Sequence, residues 1–274
     1  MRALTATFAI AAAAATGYAG MASDTADDAA YDSGWNDASN GGTGFGGWSF
    51  AEDSFGSGFA GRFLQGPGGG ASNVINGSGR AWALFANNGA GREASVAFRG
   101  INLAGLGNAG TSLTITMENG GIDAGGRVGL ALRSGNANAS VDDATTGALT
   151  QFYFLGGQAN YLVEDGIGLT ATGAGFTFDG VRLRFLFTGN GGYDLEIDRF
   201  FNETGDFDTI FVNGLQLDGT GTIDSIALFN DDASDGGGNN DIYFNNLEVV
   251  VPTPAGALAI GAMGLLTASR RRRA

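Results

Sequence analysis

Glu196, Asp198 and Glu203 are the acids best spaced for chemistry in this chain. Glycoside hydrolysis needs two carboxyl groups across a scissile bond, one acid and one nucleophile or base. In an extended strand Glu196 and Asp198 share a face, because side chains alternate. Glu203 has the opposite parity and falls in or beyond the corner Arg199-Phe200-Phe201-Asn202, so the pattern breaks at its third member. Arg182 and Arg184 offer these acids partners across a hairpin, and catalysis is not expected. The chain has neither His nor Cys. That excludes Ser-His-Asp and Cys-His centres, zinc held by those residues, and a disulfide framework.

A second set of acids could hold a cation. The loop 230–241 carries Asp231, Asp232, Asp235, Asn239 and Asp241 and no basic residue. Calcium prefers such carboxylate and amide oxygens. The spacing is not that of an EF-hand, since Ala233 and Ile242 stand at ligand positions. Asp and Asn also favour turns, so the loop reads as a structural calcium site or as an acidic turn. Asp142-Asp143 and Asp206-Asp208 are weaker sets of the same kind. No other cofactor is implied. Trp35 and Trp48, with Phe45 between them, could stack on a sugar ring or seal one end of a core.

The elements that must position these residues are strands. Apolar runs of four to ten residues recur between Gly, Asn and Asp: 81–86, 94–99, 111–117, 128–133, 149–155, 181–188, 192–198, 209–212, 223–229 and 241–250. Leu113, Ile115 and Met117 alternate with polar residues, as do Val181, Leu183, Phe185 and Phe187. These runs, with no sustained helical period, predict an all-β domain, a two-sheet β-sandwich of jelly-roll (lectin-like) type. In VRLRFLFTGNGGYDLEID the apolar residues, Leu186 apart, fall on odd numbers in both strands, so facing residues must sum to an even number. A three-residue loop Gly189-Asn190-Gly191 is expected, with Arg184 facing Glu196 and Arg182 facing Asp198. Jelly-roll glycosidases of the laminarinase type carry E-x-D-x-E or E-x-D-x-x-E on one strand; the segment resembles them in its first two acids only.

The two ends carry a different message. Arg2, the apolar run 4–15 and small residues up to Ala22 read as an export signal over 1–22, cleaved after Gly20-Met21-Ala22 or after Gly17-Tyr18-Ala19. At the other end, Val251-Pro252-Thr253-Pro254 is followed by AGALAIGAMGLLT and by Arg270, Arg271, Arg272 and Arg273. Pro252, Thr253 and Pro254, the hydrophobic stretch and the Arg cluster together resemble the PEP-CTERM sorting signal of bacterial surface proteins, with Thr253 where that family usually has Glu. The resemblance covers 251–274 and implies a sorting helix, transient anchoring in the membrane and an exosortase-like membrane protease as partner. Four Arg hold a cytoplasmic end, and the prolines keep the cleavage region extended. The segment 33–50 resembles the start of the mature region in other exported proteins with such tails.

Between these ends, 23–250 holds nine Arg against all 28 acids, a balance of −19. That surface does not suit nucleic acid. The expectation is an exported, non-catalytic cell-surface or extracellular-matrix protein, binding polysaccharide or serving as structure. The alternative is a divergent jelly-roll glycoside hydrolase.

Overall fold

The computed structural model describes residues 18–66, 71–72, 74–75, 79–87, 92–202, 204–233 and 240–252. Strands run in the order β1 (Tyr18–Asp24), β2 (Phe45–Asp53), β3 (Phe59–Gln65), β4 (Ala81–Asn87), β5 (Ala94–Ile101), β6 (Ser112–Asn119), β7 (Arg127–Arg133) and β8 (Ala148–Leu155). They continue with β9 (Asn160–Asp165), β10 (Gly168–Gly175), β11 (Val181–Gly189), β12 (Gly192–Phe200), β13 (Phe207–Gln216), β14 (Ser225–Asp231) and β15 (Ile242–Pro252). One sheet has the order β13-β12-β11-β6-β15-β4-β3, with β1 also pairing β15; the other has β10-β9-β8-β7-β14-β5-β2. The sheet-crossing pairs β4/β5, β14/β15 and β6/β7 lie side by side in both sheets, which is the jelly-roll arrangement. The fold is therefore the expected all-β sandwich. Its compact unit is Met21–Val251; the other unit, Met1–Gly20 with Pro252–Ala274, lies almost wholly outside the described residues, as does the expected sorting helix.

The core follows from alternation. Leu113, Ile115, Leu183, Phe185, Leu195 and Ile197 of the first sheet meet Val128, Leu130, Phe152, Val163 and Leu228 of the second. A smaller cluster covers the second sheet's other face, where Val141 and Ala144 of the 3₁₀ turn Val141–Ala144 pack with Val96, Phe98, Ala131 and Phe229.

All ten expected strands are present, with ends shifted by a few residues. The β11–β12 register pairs Arg184 with Glu196 and Arg182 with Asp198, and Val181, Leu183, Phe185 and Phe187 are buried, as the parity rule requires. The turn differs from the expected three-residue loop. Gly189 pairs Gly192, leaving Asn190-Gly191 as a two-residue connection and Thr188 as an extra residue in the ladder. Asn190 has φ 54 and Gly191 φ 78, the left-handed pair that a type I′ turn demands and that Asn-Gly supplies at low cost.

A buried polar cluster closes the N-terminal side. The side chains of Asp24 and Arg99 are both wholly buried and form an ion pair. Arg99 Nε donates to the Gly46 carbonyl at 3.0 Å, and its Nη2 to Asn40 Oδ1 at 3.0 Å and the Gly41 carbonyl at 2.8 Å. The Tyr31 hydroxyl donates to Asp24, and Trp48 Nε1 donates back to Tyr31 at 3.0 Å. Ala22, just before Asp24, is 0% exposed in the main core.

Candidate functional site

Three loops meet beside one end of the sandwich and enclose a pocket of about 370 Å³, lined among others by Leu106, Asn108, Asn190, Leu217, Thr220 and Ile223. Each loop is fixed by the backbone. Gly105 and Gly107 take φ +93 and +97, and Gly107 N–H donates to Thr111 Oγ1 at 3.1 Å, which itself donates to the Asn108 carbonyl at 2.7 Å. The Leu217 N–H donates to the Gly191 carbonyl at 2.8 Å, tying the third loop to the Asn190-Gly191 turn. Gln216 Nε2 donates to the Asn190 carbonyl at 3.1 Å.

The pocket's chemistry is uniform. Leu106, Leu217 and Ile223 are buried and give it an apolar floor. Asn108, Asn190 and Thr220 are exposed, and among the described residues their side chains take no hydrogen-bond partner. Among the described residues no charged one lines it, in a domain whose surface is strongly acidic. An apolar floor with a few unengaged neutral donors and acceptors suits a neutral hydroxyl-rich ligand. Sequence reading took these Gly-, Asn- and Thr-rich segments only as turns; nothing local says that they converge.

The acids singled out by spacing are engaged. Asp198 is 2% exposed, pairs with Arg182 and accepts from Thr209 Oγ1 at 2.6 Å. Glu196 lies 3.5 Å from Arg184 Nη1. The two carboxylates thus face guanidinium groups, and Glu203 lies outside the described residues.

The loop 230–241 is only partly described. Asp231 accepts from Arg92 Nε at 2.8 Å and from Arg127 Nε at 3.1 Å, each on a different oxygen. The loop itself holds no base, and two arginines from other segments supply the counter-charge to Asp231. Asp232 accepts from the Glu93 N–H at 2.8 Å. Asp241 accepts from the Tyr243 hydroxyl at 3.3 Å, and burial pushes its carboxyl above the usual range. Asp235 and Asn239 lie outside the described residues, and among the described residues no group of three or more acids is placed to hold a metal.

Trp35 and Trp48 are 3% and 1% exposed. They pack edge to face at 5.1 Å, and both lie against Trp82. The sugar-platform reading of these two residues is therefore corrected: neither ring has a face open to a ligand, because together they fill the core above β4. Of the sorting motif, Pro252 ends β15, while Thr253, Pro254 and Arg270 to Arg273 lie outside the described residues. No helix among the described residues is long and apolar enough to cross a membrane.

No family model and no curated protein matches the chain. Among solved structures, a carbohydrate esterase from the Shiga toxin-encoding bacteriophage phi24B aligns over 75% of this chain and 90% of its own, at 15% identity and TM-score 0.39. The CBM2 module of an evolved Dit from Lactobacillus casei BL23 phage J-1 aligns over 57% of this chain and 70% of its own, at 13% identity and TM-score 0.34. A legume lectin-like domain from Entamoeba histolytica covers 73% and 87%, at 14% identity and TM-score 0.31. At these scores the likenesses establish neither a family nor an activity.

Proposed function

We propose that the domain is a non-catalytic glycan-binding module that takes a neutral sugar in the loop pocket. The observation that carries this reading is the uncharged lining: Asn108, Asn190 and Thr220 over an apolar floor of Leu106, Leu217 and Ile223. A volume of about 370 Å³ lies at the lower end of ligand pockets, which run roughly 300–1,000 Å³. The engagement of Glu196 and Asp198 by arginines supports the absence of hydrolysis. The test is binding of neutral oligosaccharides to the full chain with product analysis in parallel. Saturable binding with the sugar recovered intact supports the reading; steady release of shorter sugars would point to the hydrolase instead.

The proposed module is exported and sorted to the cell surface or matrix through its PEP-CTERM-like tail, with an exosortase-like protease as partner. The strand β15 ends at Pro252, the first proline of the motif, so processing there would leave the sandwich whole. For the N-terminal cut the structure of β1 favours the more upstream of the two sites. Ala22 is buried, a Cβ on Gly44 would approach its Cβ to 2.5 Å, and Ser23 bridges Thr43. Cleavage after Ala22 would remove the Ala22 contact and leave Ser23 as the chain terminus beside Thr43, whereas cleavage after Ala19 keeps Ala22 in place. Intact-mass analysis of protein from the native host should find chains beginning at Gly20 and ending near 251–253. A chain beginning at Ser23, or one retaining Arg270 to Arg273, would contradict this processing.

A further inference from the structure

Eight of the nine arginines between Ser23 and Val250 have a carboxylate within 4.0 Å: Arg62, Arg80, Arg92, Arg99, Arg127, Arg182, Arg184 and Arg199. Arg133 is the ninth, and among the described residues it has none. It is also 0% exposed. In a domain with 28 acids, one of the two arginines buried from solvent is left without a carboxylate in ion-pair range among the described residues.

Its hydrogen bonding is incomplete as well. Nε donates to the Thr146 carbonyl at 3.2 Å and Nη2 to the Ala137 carbonyl at 2.6 Å, while Nη1 has no partner. The guanidinium lies 5.0 Å from the Phe98 ring centre. The nearby acids are committed elsewhere. Asp143 accepts from the N–H groups of Ala139 and Ser140, and Asp224 accepts from Gly135 N–H and Thr222 Oγ1. A buried cation with one partner removed is among the costlier features a fold can carry.

Arg133 lines a pocket of about 110 Å³, with Ser49, Gly100, Asn136, Asn138 and Ser225 among the other walls. Arg99 also lines it, but that charge is met by Asp24. Asn136 and Asn138 are exposed, so the pocket opens to solvent on their side. Asn138 Nδ2 donates to Ser49 Oγ at 2.7 Å, holding the mouth in place. A volume of about 110 Å³ admits the head of a carboxylate and not a whole sugar.

We infer that this pocket is an anion site in which the carboxylate of a small organic acid or acidic sugar supplies the missing counter-charge to Arg133. Arg133 has no exposed surface, so a carboxylate seated in the pocket meets its charge across the pocket wall, where a dielectric lower than that of water strengthens the attraction. Desolvation disfavours the charged form of Arg133, the Asp143 carboxylate offsets this only in part, and a bound anion would relieve the remainder. The site is separate from the neutral loop pocket, and either can fail without the other.

The test is an NMR titration of the full chain with sodium acetate, sodium glucuronate, sodium sulfate and glucose at constant ionic strength. Acetate carries the carboxylate alone; glucuronate sets it on a sugar ring. Saturable shifts at the Asn136 and Asn138 side-chain amides with either carboxylate, and none with glucose, are expected. Asn138→Asp keeps the shape of the mouth and supplies an internal carboxylate. It should weaken carboxylate binding roughly tenfold or more and raise the thermal midpoint. Arg133→Gln should abolish binding if it folds; Asn138→Asp decides the matter if it does not. Equal shifts with glucose, shifts with sulfate alone, or undiminished binding by Asn138→Asp would each overturn the inference.

Discussion

Replacing Asp24 with Ala is expected to lower the stability of the sandwich by about 3–5 kcal/mol, because it strands a wholly buried guanidinium. Arg99 spends its other donors on Gly46, Asn40 and Gly41, and none of these carries charge. The loss also removes the acceptor of the Tyr31 hydroxyl, which itself accepts from Trp48 Nε1, the Gly41 N–H and Arg99 Nη1. Removing both charges should cost less than removing one. The double change Asp24→Ala with Arg99→Met is therefore expected to be more stable than Asp24→Ala alone, the sign of a coupled buried pair. Urea unfolding of the parent and the two variants measures this directly. A single Asp24→Ala chain within about 0.5 kcal/mol of the parent would show that the pair is not buried as described.

Trp48→Ala is the second large effect, expected at about 3–5 kcal/mol. The ring is 1% exposed, packs on Trp35 and Trp82, lies 4.8 Å from the Arg99 guanidinium, and donates to Tyr31. Its removal leaves a cavity between the two sheets' ends and takes one donor from the Tyr31 hydroxyl. The outcome separates two roles. A sugar platform would lose binding at unchanged stability; a core residue loses stability first. Denaturation midpoints, compared with glycan binding at a temperature where the variant is still folded, distinguish them.

The parts of this fold that were legible in the sequence are those where one face is buried and the other wet. In β11 and β12 every second residue is apolar, so strand, facing partners and ion pairs all follow from parity. The strands β1, β2, β3, β9 and β10 were missed. In FGGWSFAED and GLTATGAG, glycine and alanine replace the large side chains that would have marked the inward positions. Thr188 was missed as a bulge because parity breaks only beside the turn, where Asn190 and Gly191 impose their own twist. The pocket was not legible at all: its walls come from 106–108, 190–191 and 217–223, which only the strand order brings together. The same holds for Arg133. Nothing in ALRSG distinguishes it from the eight other arginines until topology decides which acids each can reach.

The most direct test of the glycan-binding reading is calorimetric titration of the full chain with a panel of neutral oligosaccharides, repeated on Asn108→Ala with Thr220→Ala. Both residues are exposed and make no side-chain bonds to the described residues, so the double variant should fold as the parent does. The expected result is saturable binding of at least one neutral sugar, unaltered on recovery. That binding should weaken about tenfold or more in the variant, since two hydrogen bonds at about 1 kcal/mol each are lost. Absence of binding across the panel, or equal affinity in parent and variant, would contradict the assignment of this pocket.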